Sequence, residues 1–440
     1  MAATEVPLEA HRAVPGEGDR ADPIAILAEQ DAHRVASLVP IRHGRMGVSP
    51  FAFYRGAAAI MAADLARLPR SGLTVQLAGD AHLSNFGFFK APDRRLVFDL
   101  NDFDETAPGP FEWDLKRLAA SVTVAGRVSG LPHQGTRHAT REATRGYRET
   151  MREVAALSPL ALRYRRLDAE ALASGGGAAS RRRSEAFLSK ATRRDSLRAL
   201  KRLTAVEDGR RRIVPHPPVV SRIDEALDGM NRERTAEFFE RYRASLPPHY
   251  AAVLRDYRFT DLAMKVVGVG SVGTRCLLVL LESPQGEPLF LQFKEATASV
   301  LEHEQGGTGG SNAGERVVRG QQLMQTAGDI LLGWSRYERG DGSGVDFYVR
   351  QLWDGKASLE IDEMDVAHLA RYAWHCGAAL ALGHARSGAA AEISAYLGAD
   401  DTADHVFEHF ASGYAKLNDA DFARHEAGIA SGRVPSTPGL

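Results

Sequence analysis

Two short stretches of this 440-residue chain carry side chains suited to moving a phosphoryl group. The first, Gly79-Asp80-Ala81-His82-Leu83-Ser84-Asn85, sets a carboxylate and a carboxamide five residues apart. A tight loop with that spacing returns the chain so that both side chains converge. Asp can then orient or deprotonate an acceptor hydroxyl while Asn reaches a metal. The second stretch, Asp99-Leu100-Asn101-Asp102-Phe103-Asp104, crowds three carboxylates together, and they repel one another unless a cation or base neutralises them. A hard ion such as Mg²⁺ takes oxygen ligands of this kind together with phosphates. Asp80 is therefore the expected catalytic base, with Asn85 and Asp102 as metal ligands and Asp104 in support.

Later in the chain, Gly268-Val269-Gly270-Ser271-Val272-Gly273 precedes Leu289-Phe290-Leu291-Gln292-Phe293-Lys294. Three glycines at this spacing also occur in dinucleotide-binding folds, where a helix follows them. Here Cys276 to Leu281 is an unbroken aliphatic run ended by Ser283-Pro284-Gln285-Gly286, so the glycines are expected at the turn of a β-hairpin. In that setting Gly268, Gly270 and Gly273 let backbone amides approach phosphates without a Cβ in the way. Lys294, set among Phe290, Leu291 and Phe293, needs an anionic partner if its head is buried, and a triphosphate would supply one. Glu315, at the start of the next helix, is expected to pair with Lys294, with Glu302 and Glu304 as rivals.

The elements that hold these residues follow from periodicity and turn chemistry. Helical spacing runs from Phe51 to Leu68, with Arg55 expected in a structural ion pair with Glu or Asp, or else stabilising an acidic loop or a phosphate. Leu73 to Leu77 and Leu96 to Leu100 read as strands, so both acidic motifs hang on strand ends. Pro108-Gly109-Pro110 reads as a break before a helix whose Leu115, Leu118, Ala119 and Val122 share one face. A charged helix is expected over 136–156, a strand over 346–352 and a long helix from Met364 to His384. Between 181 and 212 lie twelve Lys or Arg against four Asp or Glu, a run that suits a solvated face or an anionic partner.

Composition bounds the class. With 44% hydrophobic residues the chain can build a substantial core, and a formal net charge of −1 gives no global pull toward nucleic acid or a membrane. Cys276 and Cys376 are the only cysteines, too few for a disulfide framework or a multi-cysteine zinc site. No apolar run has the length of a signal peptide or a membrane span, so a cytoplasmic protein is expected.

Kinases present the glycine loop and lysine before the catalytic and metal loops, and this chain presents them after. The motifs otherwise resemble the aminoglycoside phosphotransferase branch of the kinase-like fold. There a Gly-Asp-x-His-x-x-Asn loop is followed by an Asp-aromatic-acidic metal motif and an Asp-Leu helix start. Asp80, His82 and Asn85, then Asp102-Phe103-Asp104, then Asp114-Leu115 stand in that order here. The twelve residues from Asp102 to Asp114 are similar to that family's separation, which favours Asp102 over Asp99 as the metal ligand. Ala78 stands where those enzymes commonly carry His, so no role passes to that position. Over about 40–425 the chain is also similar to the bacterial family catalogued as domain of unknown function 2252. That similarity rests on Phe53-Tyr54-Arg55-Gly56, Asn101 to Glu105, Gly109 to Asp114, Gln292 to Glu295, Arg350-Gln351 and His384 to Gly388, among others. The family carries no assigned substrate.

The resemblance implies an α+β, two-lobed, protein-kinase-like fold in circularly permuted order: a small antiparallel β lobe with one key helix and a larger, mainly helical lobe. The expected division is a disordered tail over 1–22, a catalytic-loop region with helical insertions over 23–255, a glycine-loop and lysine region over 256–360, and helices completing the large lobe over 361–440. The expected activity is ATP- and Mg²⁺-dependent transfer to an unidentified small-molecule or protein hydroxyl. The alternatives are a nucleotide-binding pseudokinase and a nucleotidyl (AMP) transferase built from the same side chains. A metallophosphoesterase would need a Gly-Asn-His sequence that is absent.

Overall fold

Helical periodicity and strand alternation separate the chain into a helical body and a sheet body. The computed structural model describes residues 6–169, 203–207, 209–222, 232–266, 268–305, 312–339, 342–352 and 361–439. Its first part holds the helices α1 (Pro23–Asp31), α2 (Val39–Met46), α3 (Pro50–Gly56) and α4 (Ala58–Ala66). The strands β1 (Thr74–Leu77), β2 (Phe86–Lys90), β3 (Leu96–Leu100) and β4 (Ala107–Pro110) follow. The single helix expected from Phe51 is thus two, divided at Ala57, whose φ of −107° and ψ of 30° leave the helical region. Pro108-Gly109-Pro110, expected as a break, is instead β4, paired antiparallel with β1 alone. A two-stranded ribbon leaves each strand a free edge, which is where proline is tolerated.

The helices α5 (Phe111–Val128), α6 (His133–Val154) and α7 (Pro159–Tyr164) come next, then β5 (Leu167–Asp168), which extends the β2-β3 pair. β6 (Thr204–Glu207) and β7 (Arg210–Ile213) form a hairpin. The basic stretch read over 181–212 lies, up to residue 202, outside the described residues.

Six antiparallel strands build the sheet body. They are β8 (Val220–Arg222), β9 (Arg258–Lys265), β10 (Cys276–Glu282), β11 (Pro288–Ala296), β12 (Gly333–Glu338) and β13 (Gly344–Gln351), in the order β12-β13-β11-β10-β9-β8. The helices α8 (Arg232–Ser245), α9 (Pro248–Val253), α10 (Val300–Gln305) and α11 (Ala313–Met324) are interleaved with them. β10 is a continuous apolar run because both of its faces are covered. Leu277, Val279 and Leu281 join Phe238 and Tyr242 of α8, while Leu278 and Leu280 join Ile213, Val220 and Phe290. The same alternation puts Lys294 of β11 on the face of Phe290 and Gln292, opposite Leu291 and Phe293. By packing, α8 and β8 belong to this sheet body, although both fall within the 23–255 region.

The chain ends in α12 (Val366–Ala385), α13 (Ala390–Leu397) and α14 (Thr402–Ala430). α5 is buried on all sides from Phe111 to Gly126, as a central helix must be. Residues 6–22, read as part of a disordered tail, are packed in place. His11 is fully buried, and Arg20 forms ion pairs with Asp64 at 2.8 Å and Asp421 at 2.6 Å. Among the described residues no helix is long and apolar enough to cross a membrane. The architecture is α+β with several antiparallel sheets.

Candidate active site

The turn that carries Asp80 begins at Gly79, whose φ of +87° favours glycine. A Cβ there would stand 2.1 Å from the Glu105 carbonyl oxygen, so glycine also permits the approach of the two acidic loops. Asp114, in the first turn of α5, accepts hydrogen bonds from the amides of Ala78 at 2.7 Å and Gly79 at 3.0 Å. Its Oδ2 lies 3.1 Å from His384 Nε2, and His384 Nδ1 is 2.8 Å from the Tyr147 hydroxyl. A buried polar chain drawn from α5, α12 and α6 thus fixes the turn. The Asn101 amide donates to the Asn85 carbonyl at 2.8 Å and ties the acidic motifs together.

Asp80 is oriented by Arg117, whose Nε and Nη2 reach Oδ1 at 2.9 and 2.8 Å. Arg117 in turn stacks 3.9 Å from the Tyr54 ring centre and donates to the Tyr54 carbonyl at 2.7 Å. The second carboxylate oxygen of Asp80 stands 3.6 Å from His82 Nε2. Burial raises the Asp80 carboxyl above the usual carboxylate range, against the pull of Arg117 and with a smaller push from Asp104. Burial together with Arg55 and Arg117 holds His82 well below its ordinary range, so its imidazole is neutral. Asn85 Nδ2 donates to the Asp80 carbonyl at 2.7 Å, which leaves the amide oxygen available on a residue lining the cleft.

Lys294 meets the acidic motif from the sheet side. Its neighbours in register are Cys276 of β10 and Tyr348 of β13, so it lies on an interior strand and is 2% exposed. The ammonium forms an ion pair with Asp104 Oδ2 and lies 3.6 Å from Asp102 Oδ2. Burial alone would lower the lysine, but Asp102 and Asp104 outweigh it and hold the group well above its ordinary value. Asp104 also accepts from the Tyr348 hydroxyl at 2.7 Å and Ser271 Oγ at 3.2 Å. Burial would raise Asp104, yet Lys294 and Tyr348 bring it down to about 2, whereas burial and the charge of Asp104 push Asp102 up. Asp99 is directed elsewhere: its Oδ2 is 4.0 Å from Arg386, and burial raises its carboxyl to about 6.

Glu315 does not make the expected pair with Lys294. Asn312 caps α11 by accepting from the Glu315 amide at 2.9 Å, and the Glu315 carboxylate turns to Arg319 at 2.5 Å, one helical turn on. The rivals are engaged too, Glu302 with the Ser299 amide at 3.0 Å and Glu304 beside His303 at 3.6 Å. The anionic partners of Lys294 come from the acidic motif itself.

The glycine loop connects β9 to β10 as the turn of an antiparallel hairpin. Its outer edge is held by the segment around α2. Arg45 donates to the Gly268 carbonyl at 2.7 Å, Arg34 to the Val272 carbonyl, and the Val35 amide to the Gly273 carbonyl at 2.8 Å. A cleft of about 530 Å³ opens between this loop and the acidic motifs, within the size range of small-molecule sites. Asp80, Asn85, Asp102, Asp104, Gly268 and Gly270 line it, and Lys294 reaches it through the two carboxylates it touches. Asp102 and Asp104 keep 28% and 27% of their side chains exposed there, so both suit a divalent ion. Among the described residues no group of three or more His, Cys, Asp or Glu side chains forms a cation cage.

Sequence reasoning missed Arg117, Tyr348 and the Asp114–His384–Tyr147 chain. Arg117 had a signal, because it stands three residues beyond Asp114 and so on the same side of α5. Tyr348 had none, since its place beside Lys294 is set by the register of β11 on β13.

No curated protein and no solved structure matches the chain. Residues 34–427 match the family described as "Uncharacterized protein conserved in bacteria" (DUF2252), and the chain belongs to that family.

Proposed function

We propose that the chain is an ATP- and Mg²⁺-dependent phosphotransferase with a kinase-like site assembled in circularly permuted order. One observation carries the reading. A lysine on the third strand of the meander β9-β10-β11 pairs with two carboxylates that precede it in the chain, and those carboxylates line one cleft together with the Asp80/Asn85 loop and the glycine turn. The glycine turn between the first two strands and the helices α10 and α11 after the third support this reading, because a kinase small lobe uses a glycine turn, a strand lysine and a following helix.

In this reading each side chain has a defined task. Arg117 holds one oxygen of Asp80, and the other, 3.6 Å from His82 Nε2, would take the proton of an acceptor hydroxyl. The upward push of burial on the Asp80 carboxyl favours its acting as a proton acceptor. Asn85 and Asp102 would hold Mg²⁺ with Asp104 in support, and the ion would neutralise charge on the transferred phosphoryl group. Lys294 would move between Asp104 and the nucleotide phosphates, and the amides around Gly268, Gly270 and Gly273 would cover them. The acceptor hydroxyl belongs to a small molecule or a protein. Glu315 has no part in this scheme as the side chains stand.

Calorimetric titration of Mg-ATP into wild type, Lys294→Ala and Asp102→Ala tests the reading, with thermal unfolding in parallel. Wild type should bind and both variants should bind more weakly. Ligand at a hundredfold over its Kd should add about 2.7 kcal/mol of stability, a visible shift in Tm. Folded wild type that ignores millimolar Mg-ATP would remove the proposal. Label placed on the α- or γ-phosphate then separates nucleotidyl from phosphoryl transfer.

A further inference from the structure

Asp104 makes one contact that the proposed transfer does not use. Ser271 Oγ donates to its Oδ2 at 3.2 Å. Ser271 sits on the glycine loop between Gly270 and Gly273 and lines the same cleft as Asp80, Asn85 and Asp102. The loop's carbonyls at Gly268, Val272 and Gly273 are engaged by Arg45, Arg34 and the Val35 amide, which fixes its outer edge and presents the serine inward. Two other hydroxyls of the cleft are satisfied by backbone. Thr274 donates to the Ser271 carbonyl at 2.9 Å and Ser299 to the Glu105 carbonyl at 2.8 Å. Ser271 instead leans on a carboxylate assigned above to a divalent ion. Of these three hydroxyls, it is the one that loses its acceptor when the site is loaded, at the place where a glycine loop covers the transferable phosphate.

We propose that Ser271 is an acceptor of this site in its own right, so that the protein phosphorylates its glycine loop within one molecule. The inference rests on the phosphotransferase reading. Ser271 Oγ attacks the terminal phosphorus of ATP and forms the new O–P bond. The bond from that phosphorus to the bridging oxygen breaks, ADP leaves with the electron pair, and the serine proton passes to the Asp80 carboxylate. The product sets a phosphate carrying about two negative charges beside Asp102 and Asp104. Like-charge repulsion then drives the loop off the acidic pair and opposes binding of the next nucleotide. The reaction is a built-in off switch.

The full-length protein, incubated with Mg-ATP labelled on the γ-phosphate and then examined by intact mass and peptide mapping, tests this. The expected result is one phosphate per chain on Ser271, with an initial rate per molecule that does not change on tenfold dilution. Ser271→Ala should lose the label and still bind Mg-ATP by calorimetry. Asp80→Asn should bind Mg-ATP but label slower by about 100-fold or more. A protein that binds Mg-ATP yet carries no label, or carries it only elsewhere, overturns the self-acceptor role and leaves the nucleotide site standing. A rate per molecule that rises with protein concentration overturns transfer within one molecule. Folded protein with no Mg-ATP binding removes the phosphotransferase reading, and this inference with it.

Discussion

Lys294 and Asp104 are 190 positions apart in the chain, and their side chains meet in an ion pair that joins the sheet body to the acidic loops. The lysine is 2% exposed, so its ammonium depends on carboxylates for the solvation it has lost. The dependence runs both ways, because Asp102 and Asp104 crowd each other and both lean on Lys294, with a smaller contribution from Arg350.

Replacing Lys294 with Met should therefore cost about 3 kcal/mol, the scale for removing one partner of a buried pair. The cost comes from stranding two carboxylates, so Asp104→Asn in the Lys294→Met background should recover a large part of it. Urea unfolding of the two single variants and the double variant measures the coupling. A Lys294→Met cost below about 1 kcal/mol would mean that the pair behaves as a solvated surface contact.

The pH dependence of stability should show Asp99 and Asp104 with opposite signs. Asp99 titrates at about 6 in the fold against an ordinary 3.8, so the folded state binds its proton more tightly than the unfolded chain. Its contribution is most favourable below pH 3.8 and falls as pH rises through about 6. Asp104, held at about 2, contributes stability that is present above pH 3.8 and lost as pH falls toward 2. Asp99→Asn should thus stabilise at pH 8 by on the order of 2–3 kcal/mol and change little at pH 3. It should also leave Mg-ATP binding intact where Asp102→Asn weakens it. Equal losses of binding would return Asp99 to the site.

Features that depend on nearest neighbours could be read from the sequence. The glycine hairpin was legible because an aliphatic run with no helical signal follows Gly273. The Asp80 loop was legible because a strand and a glycine precede it. What failed depends on distant pairing. The choice of Arg319 over Lys294 by Glu315 turns on how α11 is rotated against the sheet, and spacing along the chain does not fix that angle. β4 was missed because proline forbids a central strand and the sequence does not reveal that β1 would be its single neighbour. The proline- and glycine-rich start looked like a tail, since the partners of Arg20 lie 44 and 401 residues away.

The Asp114 carboxylate should control the order of the catalytic turn. It takes up the amides of Ala78 and Gly79, which no helix or strand ladder satisfies. Asp114→Ala leaves the buried Ala78 donor bare, at about 1–3 kcal/mol, and the half-buried Gly79 donor at less. Hydrogen exchange at Ala78 and Gly79 should accelerate more than exchange in β10, which lies in the sheet body. His384→Gln keeps a polar group beside Asp114 and should give a smaller effect in the same direction. Uniform acceleration across the chain would reduce Asp114 to a general stability residue.

The N-terminal segment should behave as part of the fold. Arg20 donates to Asp64 through Nε and Nη2, both at 2.8 Å, and to Asp421 at 3.0 and 2.6 Å. The Tyr414 hydroxyl adds a bond to Asp64 at 2.8 Å. One buried guanidinium therefore joins α4 to α14, and its loss leaves two carboxylates facing each other without the cation that paired them. Deleting residues 1–22 should destabilise the protein by about 3–5 kcal/mol, and Arg20→Met alone should reproduce most of that loss. Asp64→Asn with Asp421→Asn in the Arg20→Met background should restore stability, because the cost lies in uncompensated charge. Thermal unfolding of the deletion, the single variant and the triple variant decides it. A deletion that unfolds at the wild-type temperature would show that the segment is dispensable and that the ion pairs are exposed in solution.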